Sequence, residues 1–191
     1  MATTEIPEGY KHIADAELPS WDSIPDLELY MDQVVSFVTA ALEPFVSPTD
    51  EKILTPSMVN NYVKKKVMPA PFKKRYRRQH IAYLLMIYIA KNVIALDEIA
   101  PLLNEVLNDL QMTEANDETS AAALYSHFLD LHHHAVQAVF FPQADDIVFL
   151  EQMEGSREST RTLFWICMAS AARVRSIHHV KQIIDEREQE A

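Results

Sequence analysis

Glycine is almost absent from this chain: Gly9 and Gly155 are the only two in 191 residues. Neither lies in a glycine-rich loop, which excludes a phosphate-cradling P-loop and a dinucleotide fingerprint. Scarce glycine beside abundant Ala, Leu and Met favours helices over a turn-rich β fold. Cysteine is rarer still. Cys167 stands alone, so neither an intrachain disulfide nor a multi-cysteine zinc cluster can form. Its neighbours Trp165, Ile166 and Met168 predict a buried, inert thiol. Long apolar runs are missing too. The stretch Ile81–Ala90 has ten residues, against the roughly 18–20 needed to cross a bilayer.

The remaining absence is local. The chain carries a net charge of −11, yet residues 53–96 hold nine Lys and Arg and no Asp or Glu. The rest of the chain therefore carries −20. A protein this acidic is a poor general binder of polyanions, so any such binding is expected to be confined to that segment. The N-terminus, with Glu5, Glu8, Asp15 and Glu17 and no long apolar stretch, does not read as a signal peptide, and a cytoplasmic location is expected.

Periodicity predicts an all-α fold. Residues 1–24 show no period and read as an irregular arm docked through Trp21. In "DLELYMDQVVSFVTAALEPF" the spacing of Leu27, Tyr30, Met31, Val34, Val35, Val38 and Leu42 marks one face of a helix. A second helix is expected in "LTPSMVNNYVKKKVMP", with Thr55 as cap and Pro56 at its first position. Met58, Val59, Tyr62 and Val63 then face inward, with Ser57, Asn60, Asn61 and Lys64 outward. Pro69 and Pro71 stop it, and "APFKKRYRR" reads as an extended loop or wing. Arg78–Val93 is apolar nearly all round, as a central core helix is. "ALDEIAPLLNEVLNDL" supplies another helix, "QMTEANDETS" an acidic linker, and Thr119–Phe140 and Ser156–Arg187 two more helices around a loop at Pro142. The expected domains are 25–110, which bears the basic unit, and a helical module at 118–188.

The basic unit has the chemistry of a nucleic-acid contact. Asn pairs bidentately with adenine in the major groove, and lysines neutralise phosphates. Helix 56–66 exposes Ser57, Asn60, Asn61 and Lys64, candidates for reading bases, beside Lys65 and Lys66. In the wing, 70–78, Lys73, Lys74, Arg75, Arg77 and Arg78 surround Tyr76, a pattern suited to clamping a DNA backbone. Charge runs are usually just solvated faces. Nine cations without one carboxylate, in a chain rich in carboxylates, argue against that here.

These segments also resemble known families. "NNYVKKKVMPAP", "KKRYRRQHIAYLLMI" and "ALDEIAPLL" resemble the winged helix-turn-helix of MerR-type regulators. More closely, "LELYMDQVV", "LTPSMVNNYVKKKVMPAP" and "KKRYRRQHIAYLL", in order over roughly residues 20–110, resemble a bacterial family known only as domain of unknown function 1836. The MerR resemblance implies a double-stranded DNA partner, a homodimer and transcriptional regulation. It matches Tyr62 to a recognition-helix tyrosine that contacts the backbone, and brings Arg75 and Arg77 near the wing's arginine. Lys65, Lys73 and Lys74 join this backbone set. Two departures stand out. Lys66 occupies the usual glycine position, which predicts a helix end without a relaxed left-handed cap. The connection Pro44–Thr55 is far longer than a helix-turn-helix turn of 3–4 residues.

Other motifs point less sharply. In "HFLDLHHHAVQ", His127, Asp130 and His134 share a helix face, and His178 or His179 would have to complete any metal site. Packing or solvent-facing histidines are the plainer reading, and no HExxH spacing occurs. Ser156 after Gly155 reads as a helix start, not a nucleophile elbow. The expectation is therefore no enzyme, no cofactor and no metal. The stripe Phe164, Trp165, Met168, Ala169 and Ala172 reads as core or dimer contact, with a small-molecule effector pocket in the C-terminal half as an alternative. The rival to DNA binding is a helical adaptor whose basic segment docks an acidic partner.

Overall fold

A computed structural model describes residues 13, 16–46, 52–112, 117–142 and 144–189. Most of the expected arm (1–12, 14 and 15), Pro48 and residues 113–116 of the acidic linker lie outside them. Among the described residues the chain is all-helical, with seven α-helices and two isolated β-bridges. The helices are α1 Met31–Leu42, α2 Pro56–Lys64, α3 Arg78–Ala90, α4 Leu96–Asp109, α5 Glu118–Phe140, α6 Ala144–Glu154 and α7 Glu158–Gln189.

Local sequence explains most of their starts. Thr55 Oγ1 accepts a 3.2 Å hydrogen bond from the Met58 N–H, and Pro56 fills the first helical position of α2. Gln33 and Glu98 reach back to the backbone N–H groups of Tyr30 and Ala95, at 2.9 and 2.8 Å, and so close the first turns of α1 and α4. In α3, His80 Nδ1 accepts from the Arg77 N–H at 2.9 Å. Every residue from His80 to Ala90 is buried, as the all-round apolar pattern predicts. Around α3 pack α1, α4, α5 and α7, and α5 lies along α7 in the largest helix pair. The buried side chains of both halves form one continuous cluster, from Leu18 and Val34 through Ile87 and Phe128 to Phe164 and Cys167. Cys167 is fully buried, and burial pushes its thiol pKa up, as its neighbours suggested.

Two elements differ from the sequence reading. Helix α1 starts at Met31, so Leu27 and Tyr30 precede it and are exposed. The reason is long-range: Leu29 is held extended by pairing with Tyr76. The loop expected around Pro142 contains a further helix, α6, whose Phe149 packs on Phe164 and His134. Trp21 docks as expected. It sits in a 3-10 turn, Trp21–Ser23, against Tyr125, whose hydroxyl donates to the Pro19 carbonyl at 2.8 Å.

Candidate nucleic-acid interface

Helix α2 presents a polar face because its apolar residues are three apart. Val59 and Tyr62 are buried, while Ser57, Asn60, Asn61, Lys64, Lys65 and Lys66 are exposed. The four candidate base readers therefore share the outer side of one short helix. Tyr62 does not join them. It is 4% exposed, and burial raises its pKa, so it anchors α2 to the core and is withdrawn from the expected backbone contacts.

The end of α2 resolves the glycine question. Lys66 itself adopts the left-handed conformation, with φ +57°. Its N–H bonds to the Val63 carbonyl at 3.0 Å, and that of Val67 to the Tyr62 carbonyl at 2.9 Å. This is a complete Schellman closure made with lysine. A second one ends α4 at Gln111, φ +59°. Glycine would relieve each at a saving of about 1 kcal/mol or more.

The segment expected as a wing, 70–78, contains a hairpin tip. Phe72 and Arg75 pair across a two-residue turn, with the Arg75 N–H bonding to the Phe72 carbonyl at 2.8 Å. Lys73 and Lys74 take φ of +48° and +62°, the pattern of a type I′ turn, where Asn-Gly is the relaxed choice. Next to the hairpin, Leu29 and Tyr76 exchange two backbone hydrogen bonds of 2.8 and 2.9 Å. The segment before α1 thus forms a third strand-like edge of the wing. Side chains alternate across such a ribbon. Tyr76 turns inward at 3% exposure, and Tyr30 and Phe72 turn outward at 51% and 66%.

The arginines are already engaged. Arg75 stacks its guanidinium 3.6 Å over the Tyr30 ring. Arg77 holds Glu28 through Nε at 3.3 Å and Nη2 at 2.9 Å. Arg78 donates to the Ile24 carbonyl at 3.1 Å and lies near Asp22, Asp26 and the face of Trp21. Arg75 and Arg77, expected to hold a DNA backbone, thus tie the 20–30 segment to the wing. Lys64, Lys65, Lys66, Lys73 and Lys74 make no ion pair among the described residues, although Lys73 Nζ lies 5.1 Å from the Phe72 ring. Arg75 likewise makes no ion pair among the described residues, since its stack on Tyr30 leaves the charge in place, so the uncompensated positive charge of this unit lies on these five lysines and Arg75.

The histidine helix does different work. His127 meets Thr160 at 3.3 Å, and His134 stacks on Phe149 and faces Asp130 at 3.7 Å. His132 is enclosed between Phe45 and Phe128, and burial lowers its pKa to about 4. Among the described residues no three His, Cys, Asp or Glu converge as a metal-ligand set, and no helix is long and apolar enough to cross a membrane.

The chain belongs to the family described as Domain of unknown function (DUF1836), which matches residues 19–128. The match extends past the basic unit into α5 and takes in Tyr125, the residue that clasps Pro19. No curated protein and no solved structure matches the chain.

Proposed function

We propose that this protein is a sequence-specific binder of double-stranded DNA that acts in transcriptional regulation through a MerR-like winged unit. In this reading Ser57, Asn60, Asn61 and Lys64 on α2 read base edges in the major groove. Lys65, Lys66, Lys73 and Lys74 hold phosphates. Arg75 and Arg77 fix the wing to the segment before α1. The observation that carries the reading is that, among the described residues, three of the four non-glycine residues with positive φ are Lys66, Lys73 and Lys74. Each spends roughly 1–2 kcal/mol on a conformation glycine takes freely, and each is a cation with no ion pair among the described residues. Strain kept at charged surface positions supports a role for the charge itself.

A homodimer is part of the proposal, since two copies read two half-sites. The last turns of α7 support it, because Val180, Ile183 and Ile184 are exposed there on adjacent turns. For an effector in the C-terminal half, the best-placed cavity is an open one of about 610 Å³ lined by Leu18, Pro19, Phe45, His132, His133 and Gln137. Selection of genomic duplex fragments on the immobilised full chain tests the function. A recurrent short motif among retained fragments is the expected result. Retention without any motif would refute sequence-specific reading, and capture of acidic proteins in place of DNA would favour the adaptor.

A further inference from the structure

Phe72 is the residue the proposed function leaves unused. It is 66% exposed beside the turn of the wing, next to two lysines that make no ion pair among the described residues. Leu27 and Tyr30, from the segment that forms the wing's third edge, are exposed as well. The alternation of the ribbon puts Phe72, Arg75 and Tyr30 on one outer face, with Arg75 stacked on Tyr30. The inner face is already filled by Tyr76, so the outer aromatics take no part in the core.

We propose that Phe72 is an apolar wedge that enters the minor groove of duplex DNA and inserts at a base step, kinking the duplex. This rests on the DNA-binding reading and deepens it. Phe is among the side chains that unstack base steps from the minor groove. A two-stranded ribbon is broader than the minor groove, which is about 6 Å wide, so the exposed Phe72 ring alone enters it from the ribbon's outer face. Lys73 Nζ lies 5.1 Å from the ring and Lys74 follows it in the turn, which brings positive charge to the negative potential of the minor groove. Pyrimidine–purine steps unstack most easily, so a TA step is the favoured point of entry. Arg75, held by Tyr30, stiffens the base of the wing against the push.

The test uses the full chain with a 2-aminopurine-labelled duplex carrying a central TA step, and with a duplex end-labelled for energy transfer. Binding is expected to raise the 2-aminopurine emission and shorten the end-to-end distance. Phe72→Ala should keep the wild-type melting temperature and salt slope, weaken binding about tenfold to a hundredfold and abolish both optical changes. Phe72→Leu should restore them in large part. The wedge is overturned if Phe72→Ala bends DNA like the wild type, or if the wild type binds without unstacking. Tighter binding to the matching single strand than to the duplex also overturns it, since the ring would then stack on unpaired bases. Those three outcomes leave DNA binding standing, whereas failure to bind any DNA removes both proposals.

Discussion

Replacing Glu28 by Gln should make this protein bind DNA more tightly. Glu28 holds Arg77 by two contacts, at 2.9 and 3.3 Å, and both side chains are about half exposed, at 48% and 57%. An exposed pair of this kind contributes at most about 1 kcal/mol to folding, so the variant should fold. Gln keeps the shape and removes the charge that occupies the guanidinium. Freed, Arg77 becomes a further cation on the basic face. Each additional phosphate contact steepens the slope of log K against log salt by about 0.9, which amounts to about eightfold tighter binding at 0.1 M salt. Fluorescence anisotropy with a labelled duplex from 50 to 200 mM salt reads both quantities. In the double variant Glu28→Gln/Arg77→Ala the steeper slope should disappear. Unchanged affinity and slope in the single variant would refute the reasoning, because Arg77 would then lie away from the bound phosphates.

The other predictions concern separate parts of the molecule. Asn60→Ala or Asn61→Ala should relax preference at one base position by about 1–3 kcal/mol without changing the salt slope, as read by competition between single-base variants of a selected site. Lys66→Gly should raise stability by about 1 kcal/mol in denaturant melts, because the left-handed cap is relieved, while the salt slope becomes shallower by about 0.9. Val180→Lys with Ile184→Lys should give a monomer in light scattering, and the unsubstituted chain a dimer. His132 is neutral in its aromatic enclosure, with a pKa lowered from 6.5 to about 4. Its neutral form therefore favours the fold above pH 6.5, and that stability, about 3 kcal/mol, is lost as pH falls from 6.5 towards 4. His132→Phe should flatten the pH dependence of denaturant melts over that range.

The sequence reading succeeded where local chemistry decides. The Thr55–Pro56 start of α2, the all-round burial of α3, the outward asparagines and the buried Cys167 all follow from neighbours a few residues apart. It failed where the partner is distant. Nothing near Leu29 announces that its backbone will pair with Tyr76, and that pairing delays α1 and exposes Tyr30. The same contact places Glu28 beside Arg77, so arginines that look free in the sequence are occupied. Tyr62 was misplaced by the resemblance, although the apolar spacing already put it on the inner face. Helix α6 is not legible because its apolar residues cluster in the run Ile147–Leu150 and so show no helical period. That Lys66 stands where the resemblance expects glycine is legible in the sequence. That lysine would itself adopt the left-handed conformation is a property of the closing hydrogen bonds, which composition does not reveal.

The most direct measurement is the salt dependence of binding between the full chain and duplex DNA. The four lysines assigned to phosphates, Lys65, Lys66, Lys73 and Lys74, predict a log–log slope of about −3.6 per chain bound, a loss of about 150-fold between 50 and 200 mM salt, and twice that slope if two chains bind as a dimer. A flat dependence, or no binding to duplex DNA at 50 mM salt, would contradict the assignment of this basic face to nucleic acid.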